Sequence, residues 1–119
     1  MARSPNVTSA EYPYLQIRFG IRAHSAEEIA LIDTGFTGHL AIPTIWGSRL
    51  GRPDGYSRWS LADGTFVHAP IYLGRVEIIG LSPATATIVV VGDEYILGRR
   101  ILDHFEITLN HRQRVIVRP

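Results

Sequence analysis

Apolar residues recur along this chain mostly at every second position, and glycine, proline, aspartate or asparagine interrupts them every few residues. Successive side chains of a strand point to opposite faces, so a period of two builds sheets with one buried face, whereas a helix needs a period of 3.6. On this basis candidate strands run over 14–19, 28–32, 39–42, 57–62, 65–79, 84–91, 106–109 and 114–117. Two short helical stretches interrupt them. One is "PTIWGSRLG", opened by Pro43 and closed near Gly51; the other is "GRRILDHF", where Ile101, Leu102 and Phe105 fall at helical spacing. The fold class is therefore all-β with one or two short helices. Segment 65–79 is long for one straight strand, and Pro70 and Gly74 are expected to bend or divide it. Residues 1–10 are polar, contain Pro5, and are expected to form a flexible tail. Residues 11–119 show neither internal repeat nor linker and are expected to form a single domain.

At 119 residues the chain can bury one modest core. Twelve basic residues, all arginine, stand against 11 acidic ones, and the net charge of +1 makes no field that would draw nucleic acid or an anionic membrane. Cysteine is absent, which excludes disulfides and thiolate metal sites and suits a reducing compartment. The histidines at 24, 39, 68, 104 and 111 form no close pair at metal-ligand spacing, so no metal is expected. The start lacks the apolar stretch of a leader, and the run "TIVVV" is far too short to span a bilayer. A soluble, cytoplasmic protein is expected.

The stretch "LIDTGFTGHLAIP", residues 31–43, sets an apolar run against Asp33, a charge that is expensive to desolvate. Either the carboxylate caps a turn, or the fold carries it into a protected place because chemistry happens there. Gly35 and Gly38 let the chain fold back closely enough for backbone groups to surround it. Further on, "WSLADGTFVHAP" puts Asp63-Gly64 between two strand-like runs, the signal of a hairpin with a two-residue turn. Trp46 and Trp59 suit core or interface positions better than substrate stacking. His39 and His68 are candidates for lining a cleft, although lone histidines on strands are usually surface residues.

About sixty residues after Asp33 comes "TATIVVVGDEYILGRRILDHFEITLN": an apolar strand, a Gly-Asp turn, Ile96-Leu97, then Gly98-Arg99 opening a short helix. With this second motif the sequence resembles the retropepsin-like aspartic proteases of clan AA. Their half-domain pattern is two apolar residues with Asp-Thr-Gly, a flap hairpin, then two apolar residues with Gly-Arg opening a helix. The likeness runs over 29–110. "ILGRRILDHFEITLN" is close to the carboxy-terminal stretch of retroviral proteases, and "DTGFTGHLAIP" looks more like the cellular, prokaryotic-type members. The resemblance implies a closed-barrel acid-protease half-domain. It also implies an aspartic endopeptidase with Asp33 as the catalytic carboxylate, Thr34 locking two loops together across a dyad, and Gly35 leaving room for substrate backbone. Phe36, Thr37 and Gly38 would line the substrate cleft, Ala62, Asp63 and Gly64 would form the flap tip over the peptide, and Gly98 with Arg99 would brace the loop as scaffold. No metal or organic cofactor is implied.

This type of hydrolysis uses two carboxylates sharing one proton, and the chain has one Asp-Thr-Gly, so the resemblance implies a homodimer. Three departures stand out. Phe36 replaces the small alanine or serine of viral and pepsin-like members, and is expected to narrow the cleft or pack on substrate and to shift activity toward weakly acid or neutral pH. Thr37 stands where viral enzymes carry an acid that pairs with the arginine matching Arg99, so Arg99 needs another acceptor or faces solvent. After "EITLN" the chain adds "HRQRVIVRP", a solvated turn and one more strand, which would replace or block the interlocked terminal sheet of the viral dimers. A non-catalytic peptide-binding or assembly domain that kept the fold is the alternative.

Overall fold

A computed structural model of the chain describes residues 6–60 and 63–119. In chain order the strands are β1 (Val7–Ser9), β2 (Tyr14–Ile21), β3 (His24–Ile32), β4 (Leu40–Ile42), β5 (Gly55–Ser60), β6 (Phe66–Ile78), β7 (Ala84–Val90), β8 (Ile96–Leu97), β9 (Glu106–Asn110) and β10 (Arg114–Arg118). A 3₁₀ turn at Thr44–Trp46 runs into helix α1 (Gly47–Leu50), and helix α2 spans Arg99–Leu102.

Strand β2 shows why the period of two matters. Leu15, Ile17, Phe19 and Ile21 are fully buried, while Gln16 and Arg18 between them face solvent. Each such apolar side chain contributes about 1.5–3 kcal/mol by leaving water. They meet Leu40 and Ile42 of β4, Ile78 of β6, Ile88 of β7 and Leu97 of β8 in one core. The short helices add Trp46, Leu50, Ile101 and Leu102 to it.

The strands lie in the order β2-β3-β8-β4-β7-β6, and a further pairing of β2 with β6 closes them into a six-stranded barrel. Closure requires β6 to pass very near β2. A Cβ on Gly74 would run into the Gly20 carbonyl and would lie 3.1 Å from Ile88 Cδ1, so only glycine allows this approach. The β6 strand runs on from Phe66 to Ile78, so of the two outcomes expected at Pro70 and Gly74, bending or division, it is not divided. Its outer half pairs with β5 from Phe66 to Ile71, and its inner half pairs with β7 from Ile71 to Val76 and with β2 as far as Ile78. At Pro70 only β5 is a ladder neighbour, opposite Tyr56, so the missing N–H leaves no second ladder broken.

A second, three-stranded sheet has the order β1-β10-β9. The added carboxy-terminal strand is thus its centre, with Val115 and Val117 fully buried. Of the tail expected over residues 1–10, the described part includes a strand: Val7, Thr8 and Ser9 pair with Val117, Ile116 and Val115. The segment is too polar to announce a strand, and its partner lies more than a hundred residues away.

Candidate active site

The site begins where β3 stops. After Ile32 the backbone leaves the ladder, and Asp33 donates its N–H to the Leu97 carbonyl (3.1 Å). Its Oδ1 accepts the Gly35 N–H at 2.8 Å, and its carbonyl accepts the Phe36 N–H at 3.2 Å. The aspartate therefore does cap its own turn, the locally favoured arrangement for this residue. It is also half-buried in the lining of a groove of about 720 Å³. Thr34 is exposed beside it, and Gly35 lies on the groove.

Residues 98–100 hold this loop from behind. The N–H groups of Gly98, Arg99 and Arg100 donate to the carbonyls of His39 (2.9 Å), Phe36 (2.8 Å) and Gly38 (3.1 Å). The start of α2 has no earlier turn to satisfy its N–H groups, and the loop carbonyls of Phe36 and Gly38 do so instead. The Arg99 side chain is turned away. It meets Asp103 on its own helix at 3.7 Å and is about half exposed, so its backbone rather than its guanidinium bears on the loop.

Phe36, conspicuous in the sequence for its size, has a seat made of absences. A Cβ on Gly38 would stand 2.6 Å from the Phe36 ring, and one on Gly98 would stand 2.6 Å from Phe36 Cδ2 and against the Gly38 carbonyl. Two glycines thus open a slot for the ring. Its other neighbour is Trp59, whose ring centroid lies 5.5 Å away. The ring is therefore packed within the chain, although Phe36, Thr37 and Gly38 all line the groove.

Strand β5 forms one wall through Ser57, Arg58, Trp59 and Ser60, with the Trp59 indole N–H donating to Ser57 Oγ at 2.8 Å. Ile71, Thr87 and Val89 complete the barrel side. Trp59, expected in a core or interface, is half-buried here and lines the groove, whereas Trp46 is buried against Phe19. Asp63 and Gly64 are not among the lining residues, and Ala62 falls outside the described residues. Among the described residues the pairing of β5 with β6 runs to Ser60 opposite Phe66, and Asp63 stands outside it. Asp63 Oδ1 instead accepts both the hydroxyl (2.6 Å) and the N–H (3.0 Å) of Thr65, and these bonds lower its pKa. Gly64 takes φ +86°, where a side chain would be strained.

Three charged or titratable groups join the lining: His39, a cleft candidate in the sequence, and Arg58 and Arg100, which the sequence did not single out. His39 Nδ1 accepts the Thr87 N–H at 3.2 Å, which marks a neutral ring with its proton on Nε2. Its pKa is lowered, first by burial and then by the charges of Arg100 and His104. Arg100 and Arg58 also line the groove, and Arg58 lies over the Phe66 ring at 3.7 Å. Both reach the groove from elements distant in sequence from Asp33. Among the described residues, no group of three or more His, Asp or Glu is placed to hold a metal ion, and no helix is long and apolar enough to cross a membrane.

No protein-family model matches the sequence, and no curated protein does. Solved structures do match its fold. The crystal structure of a retropepsin-like aspartic protease from Rickettsia conorii superposes with a TM-score of 0.63 at 15% identity, covering 95% of this chain and 90% of that one. The solution structure of the Simian Foamy Virus (mac) protease gives 0.53 at 16% identity, covering 76% of this chain and 91% of that one. The fold is retropepsin-like: a mostly β half-domain built on a closed six-stranded barrel.

Proposed function

We propose that the protein is an aspartic endopeptidase, active as a homodimer, in which Asp33 and Asp33 of the partner subunit share one proton over the scissile bond. The observation that carries this reading is the position of Asp33. In a retropepsin-like fold it sits half-buried in a groove, held by Gly35 and braced through Leu97. One chain supplies a single Asp-Thr-Gly, and one carboxylate cannot serve at once as acid and base. Two, brought within a few ångströms, cannot both ionise, so one keeps a proton while the other draws one from a water. That water attacks the peptide carbonyl as the protonated partner hydrogen-bonds its oxygen, and the proton then passes to the leaving nitrogen. The pair titrates as a unit.

The substrate is an extended peptide lying as an added strand between the β5–β6 hairpin and the loop of Phe36 to Gly38. Thr34, exposed beside the carboxylate, is the contact between the two loops across the two-fold axis. The hairpin tip with Asp63 and Gly64 acts as the flap, and Gly98 with Arg99 is scaffold. No cofactor enters this chemistry.

The test is cleavage of casein and of mixed apolar peptides across pH by the purified protein and by Asp33→Asn, with the mass in solution measured by sedimentation. Cleavage by a dimer that disappears in Asp33→Asn supports the reading. Cleavage that survives the substitution, or an active monomer, overturns it. Peptide binding without cleavage assigns the chain instead to a non-catalytic peptide-binding class.

A further inference from the structure

The charge of the groove is uneven. Asp33 is the only carboxylate among the described residues that line it, while two arginines, Arg58 and Arg100, are in the lining. Neither arginine forms an ion pair among the described residues, unlike Arg18, Arg22, Arg99 and Arg118, each of which meets an acid. Arg100 is exposed, and its backbone is pinned by the bond from its N–H to the Gly38 carbonyl. Beside it, His39 has spent its acceptor on Thr87, which leaves Nε2–H as a donor. The Arg58 guanidinium lies over the Phe66 ring, outside the lining. The lining therefore sets the Arg100 side chain and the His39 Nε2–H donor against a single carboxylate among the described residues, Asp33.

We propose that this groove contains a subsite for an acidic side chain of the bound peptide, formed by Arg100 with His39. A guanidinium presents planar paired donors that match a carboxylate, and an aspartate or glutamate here would convert an unpaired cation into a bidentate pair. The inference rests on the groove's being a peptide site, as proposed above, and deepens it by naming the substrate class: largely apolar extended segments carrying one acidic residue at a fixed distance from the point of cleavage. Arg100 is then a specificity residue that touches substrate and takes no part in proton transfer.

The experiment uses full-length protein carrying Asp33→Asn and a set of fluorescein-labelled apolar peptides in which one glutamate is walked along the sequence. Each has a glutamine counterpart. Binding is read by anisotropy at low salt, and wild-type protein is assayed in parallel for cleavage of the same peptides. Glutamate at one position is expected to bind about tenfold more tightly than glutamine, as befits a charged hydrogen bond, with the difference shrinking in high salt. Arg100→Gln should abolish the preference, Arg100→Lys should keep most of it, and Arg100→Glu should turn it toward lysine. Such a pattern supports the subsite whether or not wild-type protein cleaves. Cleavage with no glutamate preference at any position overturns the subsite and leaves the protease reading standing. A preference that persists in Arg100→Gln overturns the assignment to this arginine, and the absence of any peptide binding overturns the inference outright.

Discussion

The Phe36 ring lies 5.5 Å from that of Trp59, centroid to centroid and tilted by 41°. One ring belongs to the loop that begins at Asp33 and the other to the hairpin wall, so this contact couples the two sides of the groove. Such a pair is worth about 0.5–1.5 kcal/mol beyond the area it buries. A double-mutant cycle with Phe36→Ala and Trp59→Ala, read by urea unfolding, is expected to give a coupling energy in that range. Simple additivity would mean that the two sides are held independently.

The slot for Phe36 gives a sharper expectation. At Gly38 an added methyl group meets only the Phe36 ring, whereas at Gly98 it also meets the Gly38 and Phe36 carbonyls. Gly38→Ala should therefore cost about 1–3 kcal/mol by overpacking and much less once Phe36 is alanine. Gly98→Ala should cost about 3 kcal/mol or more in either background, because backbone cannot step aside. Denaturant midpoints of the four variants separate the two cases.

Substitutions at Asp33 divide its structural role from its proposed chemistry. Asparagine retains an oxygen to accept the Gly35 N–H, so Asp33→Asn should melt within about 0.5 kcal/mol of wild type. Asp33→Ala deprives that N–H of its partner and should cost about 1 kcal/mol. Both are expected to lose peptide cleavage by a factor on the order of a thousand or more. Thermal melts and initial rates measured on the same samples check the pair.

His39 sets a dependence of stability on pH. Burial, with the positive charges of Arg100 and His104, holds its pKa below the ordinary value of 6.5, so the folded ring resists a proton that the unfolded chain accepts. The unfolded state then binds more protons as pH falls below about 6.5, and stability declines with it. Above that value the contribution is complete. Melting temperature should be level from pH 8 to 7 and fall from pH 6.5 to 5, and the slope should flatten in His39→Asn, which keeps an acceptor for the Thr87 N–H. An unchanged slope in that variant would assign the effect to other groups.

The parts legible in the sequence are those whose cause is local. Strand β2 announces itself because one face is buried along its whole length, and Asp33 to Gly38 form a continuous loop whose members need no fold to bring them together. Strand β8 carries no period at all. It is two residues long, and Ile96 and Leu97 become a strand only because β3 and β4 flank them. Strand β1 depends in the same way on β10, and the continuity of β6 through Pro70 depends on which neighbour stands beside it. In the groove, Ser57, Trp59, Thr87 and Arg100 arrive from β5, β7 and α2, and nothing in their immediate surroundings marks them for the site. Barrel closure alone makes them neighbours.

The small sheet has a mechanical consequence. Val7 faces Val117 across an antiparallel ladder, so the start of β1 and the end of β10 lie together at one end of the sheet. A load applied between them would peel β1 from β10 one rung at a time, instead of shearing all rungs at once. The three residues of β1 would give way like the teeth of a zip at low force, before any tension reached the barrel or the carboxylate loop.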